Sequence, residues 1–534
     1  MQKVDVVVVG CGPAGGVAAN LLGKLGYSVI ALEAALEFHN ETRAIHMDHE
    51  AMRILQSINV DKMIENDITP FLGMEFVDEN LERIFLLKAS DPESGEQGYM
   101  FGQPALELAL RKRLADWGGV ELRLGCKVTD IEKQGDDYIV SYRDSSLEKT
   151  AQLSSKYVIG ADGSSSFTRK HFQIELENLD FDEPWVVVDG LLTEPVDLPK
   201  YGQQVCDIAR PKTFIPGENN HRRWEIMVLP EEELSDVLKE DFIYDAIAPW
   251  GVSRNNYTIR RSAYYIFHAL IAQTWHHDNF FLIGDACHQT PPFLGQGMCA
   301  GLRDASNIAW KIDLVERGLA GKSIFNTYQQ ERYPHVRAVF MAAIEQGKII
   351  CTIDPEVAKI REHVLDDLSK QEGLSFYDVL PNLEAGLLQS DEVTSGSAGV
   401  LSPQPRVKTT NGEIVFLDRV AGDRFRMIVK EDFNPEELDD DLKRFWNAIS
   451  GHVVCIDPNY TDGSGITGVE DVDGRLGDFF TSTGCGMMLV RPDHYIFGTA
   501  KTNSEISGLL QNLRTQLRLQ EAATTIDYHT ERIS

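Results

Sequence analysis

The N-terminal stretch narrows the fold more than any other part of the chain. Residues 4–33 read VDVVVVGCGPAGGVAANLLGKLGYSVIALE. A β-branched apolar run leads into Gly10, Cys11, Gly12, Pro13, Ala14 and Gly15, which fits GxGxxG. A small-residue helical pattern follows, then a second apolar run ending at Glu33. Strand, glycine turn, helix, strand and acid in this order form the dinucleotide-binding arrangement. The glycines permit a tight turn, close approach of backbone to a pyrophosphate and close helix–sheet packing. The helix N-terminus turns its positive dipole end toward the phosphates. Glu33 is placed to accept a bond from an adenosine ribose hydroxyl. The spacing does not separate NAD from FAD, and no second GxGxxG unit occurs.

Two further junctions combine glycine with an acid. YVIGADGSSSFTR (157–169) carries Asp162-Gly163 after an apolar run, a pairing that alone marks a turn. NFFLIGDACHQTPPFLGQGMCAG (279–301) is richer. Its strand ends at Asp285, and ligands of α/β sheets bind at such strand ends. Pro291 and Pro292 stiffen the loop. Gly295, Gly297 and Gly301 let backbone approach a flat ligand. The next helix presents free N–H groups to negative charge on a ring edge.

With 534 residues the chain has room for two or three domains. A formal charge of −31 argues against nucleic acid as a partner. No apolar run reaches the ~20 residues of a membrane span. MQKVDVVVVG reads as a buried strand rather than a signal peptide. The eight cysteines are scattered without CxxC or metal-like spacing. This predicts reduced thiols in a cytoplasmic protein and no metal site.

GxGxxG, then DG, then GDAxHxxPPxxGQGxxxGxxD together resemble the single-component FAD-dependent aromatic hydroxylases, the group of para-hydroxybenzoate and phenol hydroxylases. TRAIHMDHEAMRILQSI (42–58), PWVVVDG (184–190), RRWEIMVLPEE (222–232), WKIDLVERG (310–318) and TYQQERYPHV (327–336) resemble the 3-(3-hydroxyphenyl)propanoate hydroxylase branch more narrowly. The resemblance weakens toward the C-terminus. It implies FAD as cofactor, NADH or NADPH as co-substrate, and dioxygen. Reduced flavin would take up dioxygen as a flavin hydroperoxide, whose distal oxygen passes to a phenolic ring, a phenol with a short carboxylate side chain being one expected substrate. By the same resemblance Gly10, Gly12, Pro13, Ala14, Gly15 and Glu33 hold the ADP half of FAD. Arg43 and Gln103 hold the pyrophosphate and ribityl chain, Asp162 lies in the DG motif, and Asp285 bonds ribityl hydroxyls. Gly295, Gly297, Met298 and Cys299 flank the flavin ring, and the Pro292 carbonyl faces the reacting position. The chain departs from the branch at His46, where glycine stands.

The expected fold is α/β (α+β). A Rossmann-like FAD-binding domain spans 1–175 and resumes at 276–389. An antiparallel substrate-binding sheet spans 176–275, where alternating runs such as RRWEIMVL and YTIRRSAYYIF occur. A linker covers 390–405. Residues 406–534 resemble the thioredoxin-like C-terminal domain of phenol-hydroxylase relatives without its CxxC, with packing or homodimerisation as the expected role. The acidic run EELDDDLK reads as a solvated helix face.

Removing a phenol proton calls for a positioned base. His46, three residues after Arg43, is the first candidate, with a packed histidine as the alternative. Asp48 either meets substrate or caps the next helix. Pro292, Tyr264 and His268 complete the catalytic candidates, Tyr264 and His268 sharing one strand face and Tyr265 the other. His288 reads as a loop organiser. Arg210 and Arg223 are the candidates for a substrate carboxylate, with Lys212, Arg222, Arg260 and Arg261 beside them. Competing readings are an FAD-dependent dehydrogenase or oxidase, a halogenase, and a non-enzymatic FAD-binding scaffold. The WxWxIP signature of the tryptophan halogenases is absent.

Overall fold

A computed structural model describes residues 1–37, 42–89, 97–371, 373–389, 396–430, 438–457 and 466–519. The chain forms two compact units. One contains Met1–Ala305 and Val336–Pro381, the other Ser306–His335 and Asn382–Ser534.

The first unit is built on two large sheets. In one, strands run in the order His276–His277, Phe280–Leu282, Lys149–Gly160, Gln2–Val9, Val29–Leu32, Val120–Arg123. Phe280–Leu282 through Val120–Arg123 are mutually parallel. An antiparallel hairpin, Cys126–Gln134 and Asp137–Asp144, joins through Lys149–Gly160. Val9 is in register with Gly160, and Gly160 with Leu282. The three glycine–acid junctions, far apart in sequence, therefore leave the C-terminal edge of three adjacent strands.

The second sheet has the order His288–Gln289, Tyr257–Ala272, Leu176–Leu192, His221–Met227, Lys212–Pro216, Gly202–Val205, Gly73–Val77, Arg83–Lys88. Both expected alternating runs are strands of it, and two strands from before residue 175 extend it. Val186, Val188, Trp224 and Ile226 share a core with Ile243, Tyr244, Ile247 and Trp250. That face lies beneath the helices Leu234–Val237 and Glu240–Ile247. The opposite face carries Trp185, Val187, Asp189, Arg223 and Glu225, the residues of opposite parity.

The second unit contains a seven-stranded sheet with Arg426–Val429 parallel to His452–Cys455 and antiparallel to Met487–Val490. Ile496–Ala500 closes one edge. Helices Asp440–Ala448, Arg475–Thr483 and Asn503–Leu519 connect or follow these strands. Residues 390–395 of the expected linker lie outside the described residues. The amide of Gly399 bonds Ile496 O, and that of Ser402 bonds His494 O. Of the acidic run, 436–437 lie outside the described residues, while Asp439 caps Asp440–Ala448 by accepting the Leu442 amide. All eight cysteines are buried and none is joined in a disulfide. Among the described residues no helix is long and apolar enough to cross a membrane.

A closed ionic network lies inside this unit. Glu331 accepts from Lys311 at 2.7 Å and from Arg491 at 2.7 Å. Arg491 also meets Asp493 at 2.6 Å. None of these side chains is more than 3% exposed. Lys311 and Arg491 are matched by two carboxylates, so deleting one leaves a buried cation uncompensated. Glu331→Ala is expected to cost about 3–5 kcal/mol in urea unfolding; a loss below about 1 kcal/mol would contradict this account.

Candidate active site

The first junction is fixed by sterics. Gly10 has φ 92°, and a Cβ there would stand 2.5 Å from Ala161 O. A Cβ on Gly15 would lie 2.1 Å from Gly10 O. Gly12, at the N-cap of Pro13–Lys24, has nothing within 4 Å of that position. The turn is closed toward the sheet and open toward the space its helix N-terminus faces, which is a phosphate cradle. Ala14 lies against the other junction, since a Cβ on Gly301 would sit 3.1 Å from Ala14 Cβ and 3.0 Å from Gly284 Cα.

The acids divide their work. Glu33 accepts the amides of Cys11 at 2.9 Å and Ala35 at 3.0 Å. Asp162 turns inward, accepting the Ser166 hydroxyl at 2.5 Å, the Thr168 amide at 2.8 Å and the Thr168 hydroxyl at 2.7 Å. It organises the start of Phe167–His171. Asp285 is exposed, yet enough protein surrounds it that desolvation raises its pKa against the pull of His288 and Arg43. A carboxylate both accessible and crowded lines a recess. Gln103 Oε1 accepts the amides of Arg43 at 2.9 Å and Ala44 at 2.7 Å, leaving the Arg43 side chain exposed. The open cradle, the recessed Asp285 and the exposed Arg43 fit the phosphates and sugar hydroxyls of FAD.

Pro292–Leu294 forms a single 3₁₀ turn that ends at Gly295, φ 62°. Gly297, Met298 and Cys299 begin the helix Gly297–Glu316. A Cβ on Gly295 would stand 2.9 Å from His46 Nδ1. His46 is 7% exposed, and its Nε2 is 3.2 Å from the Tyr377 hydroxyl. Phe71 and Phe376 meet its ring edge-on, with centroids 4.6 Å and 5.9 Å away. Burial lowers the His46 pKa to about 4, against the attraction of Asp48. The ring is therefore neutral at physiological pH.

Asp48 caps His49–Ser57 through the Ala51 amide. Its other oxygen takes Arg303 Nη2 at 2.5 Å. Arg303 also holds Glu50 at 2.5 Å and Gln296 Oε1 at 3.0 Å. Burial would raise the Asp48 pKa, but Arg303 and His49 hold it well below the carboxylate range. His288 is tied to Asp304 at 2.6 Å with both side chains fully buried, and Asp304 also accepts the Gly284 amide at 3.0 Å.

The remaining candidates separate by sheet face. Tyr264 packs against the core beneath the helices. Tyr265 is on the other face, bonded to Arg261. His268 is 38% exposed and pairs with Asp182 at 2.5 Å. Arg210 is forked onto Glu232. Arg223 donates to both oxygens of Asp189 at 2.8 and 3.0 Å, and to the carbonyls of Arg43 and Thr42 at 2.7 Å each. The structure thus gathers His46, Asp48, Pro292, Gly295 and Cys299, and leaves Tyr264, His268 and Arg210 apart from them. Sequence reasoning missed Tyr377, Arg303 and Glu225. Glu225 was signalled by the alternation RRWEIM, in which Trp224 and Ile226 take the core side. Tyr377 had no periodic signal.

Gly295→Ala adds a methyl against His46 and forces a left-handed backbone on alanine, at a cost of roughly 1–3 kcal/mol. The variant should lose thermal stability and retain less FAD after gel filtration. Adding His46→Ala should recover part of both losses; no recovery would show that the contact with His46 is unimportant.

Comparison with known proteins agrees with this geometry. An FAD binding domain family matches residues 3–343, and an HcaD C-terminal domain family matches 399–516. A probable NADH-specific resorcinol 4-hydroxylase of Rhodococcus jostii is 32% identical, over 96% of this chain and 95% of the relative. A 3-(3-hydroxy-phenyl)propionate/3-hydroxycinnamic acid hydroxylase of Burkholderia vietnamiensis is 30% identical, over 98% of each. The flavin-dependent monooxygenase PieE, solved with FAD and substrate, superposes with a TM-score of 0.78 at 19% identity, covering 96% of this chain and 99% of that one. The anhydrotetracycline hydroxylase OxyS of Streptomyces rimosus gives 0.77 at 22% identity, covering 97% and 99%. With its three glycine junctions on one sheet edge and most of its length matched, the chain belongs to the FAD-binding domain family and carries the HcaD-type C-terminal domain.

Proposed function

We propose that the protein is an FAD-dependent aromatic hydroxylase that uses NAD(P)H and dioxygen to insert one oxygen atom into a phenolic ring. The observation that carries this reading is that the three glycine–acid junctions leave one edge of the first sheet, and that the third of them meets the second sheet through Phe293 on Trp185 and Phe267. Full-length relatives described as hydroxylases of resorcinol and of hydroxyphenylpropionate support it. Bound FAD would accept hydride from the nicotinamide and activate dioxygen.

The chain's own residues would bind, orient and exclude water. Gly10, Gly12 and Gly15 with the amides of Pro13–Lys24's first turn would cradle the pyrophosphate, joined by Arg43. Asp285 would accept ribityl hydroxyls. Free N–H groups at Gly297–Cys299 would stabilise negative charge on the reduced ring. Phe293 packs edge-on against Trp185 and Phe267, with centroids 6.0 Å away in each case, which keeps water from the loop. His46 is neutral with Nε2 engaged, so it would position the Gly295 turn rather than take a proton.

The layout into an FAD-binding domain at 1–175 and 276–389, a substrate sheet at 176–275 and a thioredoxin-like module at 406–534 is part of this proposal. So are a homodimer through that module and a cytoplasmic location. Sedimentation equilibrium of the whole chain over a range of concentrations tests the dimer.

The deciding assay supplies FAD-loaded protein with NADH or NADPH, ¹⁸O₂ and a series of phenols. Product heavier by one ¹⁸O atom, in step with nicotinamide consumed, is expected. Nicotinamide oxidation with unlabelled product from every phenol would favour a dehydrogenase or oxidase, and no oxidation by FAD-replete protein would favour a scaffold.

A further inference from the structure

The face of the second sheet opposite the helices Leu234–Val237 and Glu240–Ile247 is organised in cross-strand rows. In one row Ile215, Arg223, Asp189 and Arg261 are successive partners. Here the charges are closed on each other and on backbone. Arg223 has five N–H donors, and four are used on Asp189, Thr42 and Arg43. Arg261 donates to Thr42 O and to the Tyr265 hydroxyl, 3.6 Å from Asp189.

One step along the strands, Gln204, Thr213, Glu225 and Val187 are successive partners. Gln204 and Thr213 are each 2% exposed and Glu225 is 8% exposed. The Thr213 hydroxyl donates to Gln204 Oε1 at 2.6 Å. The Glu225 carboxylate accepts no hydrogen bond from the described residues; its nearest cation, Arg223 Nη1, is 4.0 Å away. With 11% of its side chain accessible, this carboxyl keeps an opening in which no protein donor stands, and a ligand that brings a donor there would complete the bonding that a carboxylate needs.

The row's place favours substrate as that ligand. On one side it is flanked by Trp185, which meets Phe293 of the Pro292 turn. On the other it is flanked by Arg223, which holds the segment leading to His46. Ile215 joins the cluster of Phe71, Phe376 and Tyr377 that surrounds His46. The row thus spans the stretch of sheet between its two attachments to the flavin loops.

We infer that Glu225, with Thr213 and Gln204, is the subsite for a substrate hydroxyl, and that it selects neutral phenols against phenols bearing a carboxylate. The inference rests on the hydroxylase reading and names its substrate class. Glu225 accepts the phenolic proton: the O–H bond breaks, its electron pair stays on the phenolate oxygen, and the proton forms a new O–H bond on the carboxyl before leaving to water. The resulting phenolate enriches the ring for attack by an electrophilic oxygen. A substrate carboxylate in the same space would face Glu225 and the acceptor oxygen of Thr213, with the neighbouring arginines already engaged. Burial raises the Glu225 pKa to about 7, against the pull of Arg223. Proton acceptance therefore begins as pH rises through that value.

The test measures binding separately from turnover. Changes in the absorbance of bound FAD are titrated with resorcinol, 3-(3-hydroxyphenyl)propanoate and the matching neutral propanamide, without nicotinamide. Wild type should bind the amide at least about tenfold tighter than the acid, and the preference should widen from about pH 6 to about pH 8 as Glu225 ionises. In Glu225→Gln the preference should fall below about threefold, and the rise of kcat/KM with neutral phenol through about pH 7 should vanish. Glu225→Asp should restore part of that rise. Equal or tighter binding of the acid by wild type, which needs no variant to fold, overturns the inference. A preference and pH profile unchanged in Glu225→Gln also overturn it. Selective binding of neutral phenols with no ¹⁸O in any product would sink the hydroxylase reading and leave this binding preference standing.

Discussion

The buried pair of Arg223 and Asp189 is the constraint on which the first unit depends. Its geometry does more than neutralise two charges, because Arg223 extends past Asp189 to the carbonyls of Thr42 and Arg43. From the other side Gln103 takes the amides of Arg43 and Ala44. A short stretch of irregular backbone is thereby bonded through both its donors and its acceptors. His46 follows, wedged against Gly295, and Asp48 caps a helix while holding Arg303 of the helix Gly297–Glu316. Position is passed from the second sheet to the third junction through a few fully bonded groups. A buried ion pair is weak as a source of stability, but such pairs can serve well in fixing register.

Much of the first sheet was legible because its determinants are local. A glycine that must adopt positive φ, or whose Cβ would meet a carbonyl, is specified by its turn alone. Parallel crossover units then bring such turns to one sheet edge. The rows of the second sheet were only half legible. Alternation shows that Tyr264 and Tyr265 point to opposite sides, as do Trp224 and Glu225, but not which side the rest of the chain covers. That depends on Leu234–Val237 and Glu240–Ile247, whose apolar residues cover the Tyr264 side. The arginines were legible as a cluster but not as spent donors, because their partners Asp189, Glu232 and Thr42 come from separate segments. His46 shows the same limit. Its type suggested a base, whereas Tyr377, 331 residues later, and the surrounding phenylalanines make it a neutral spacer.

In the second unit the apolar runs FRMIV, HVVCI, MMLVRP and YIFGTA contain the strands Arg426–Val429, His452–Cys455, Met487–Val490 and Ile496–Ala500, since burial on both faces leaves a plain apolar signature. The ionic network did not announce itself. Lys311, Glu331, Arg491 and Asp493 carry no local mark of burial in the sequence, and only their convergence from three segments removes them from water. Charge in a sequence is a poor guide to exposure when opposite charges can meet inside.

The eight buried thiols carry a consequence of their own. An enzyme that brings reduced flavin to dioxygen releases hydrogen peroxide whenever transfer to substrate fails. Peroxide attacks thiolates, and it must reach them. Cys11 lies in the first glycine turn, where burial pushes its thiol up to about 12. Cys299 lies in the first turn of the helix Gly297–Glu316 and is also raised well above its ordinary value by burial. These two cysteines of the glycine junctions are thus held protonated and out of solvent. Sulfur in those turns is sheltered by withholding the ionised form, which is the form that peroxide attacks.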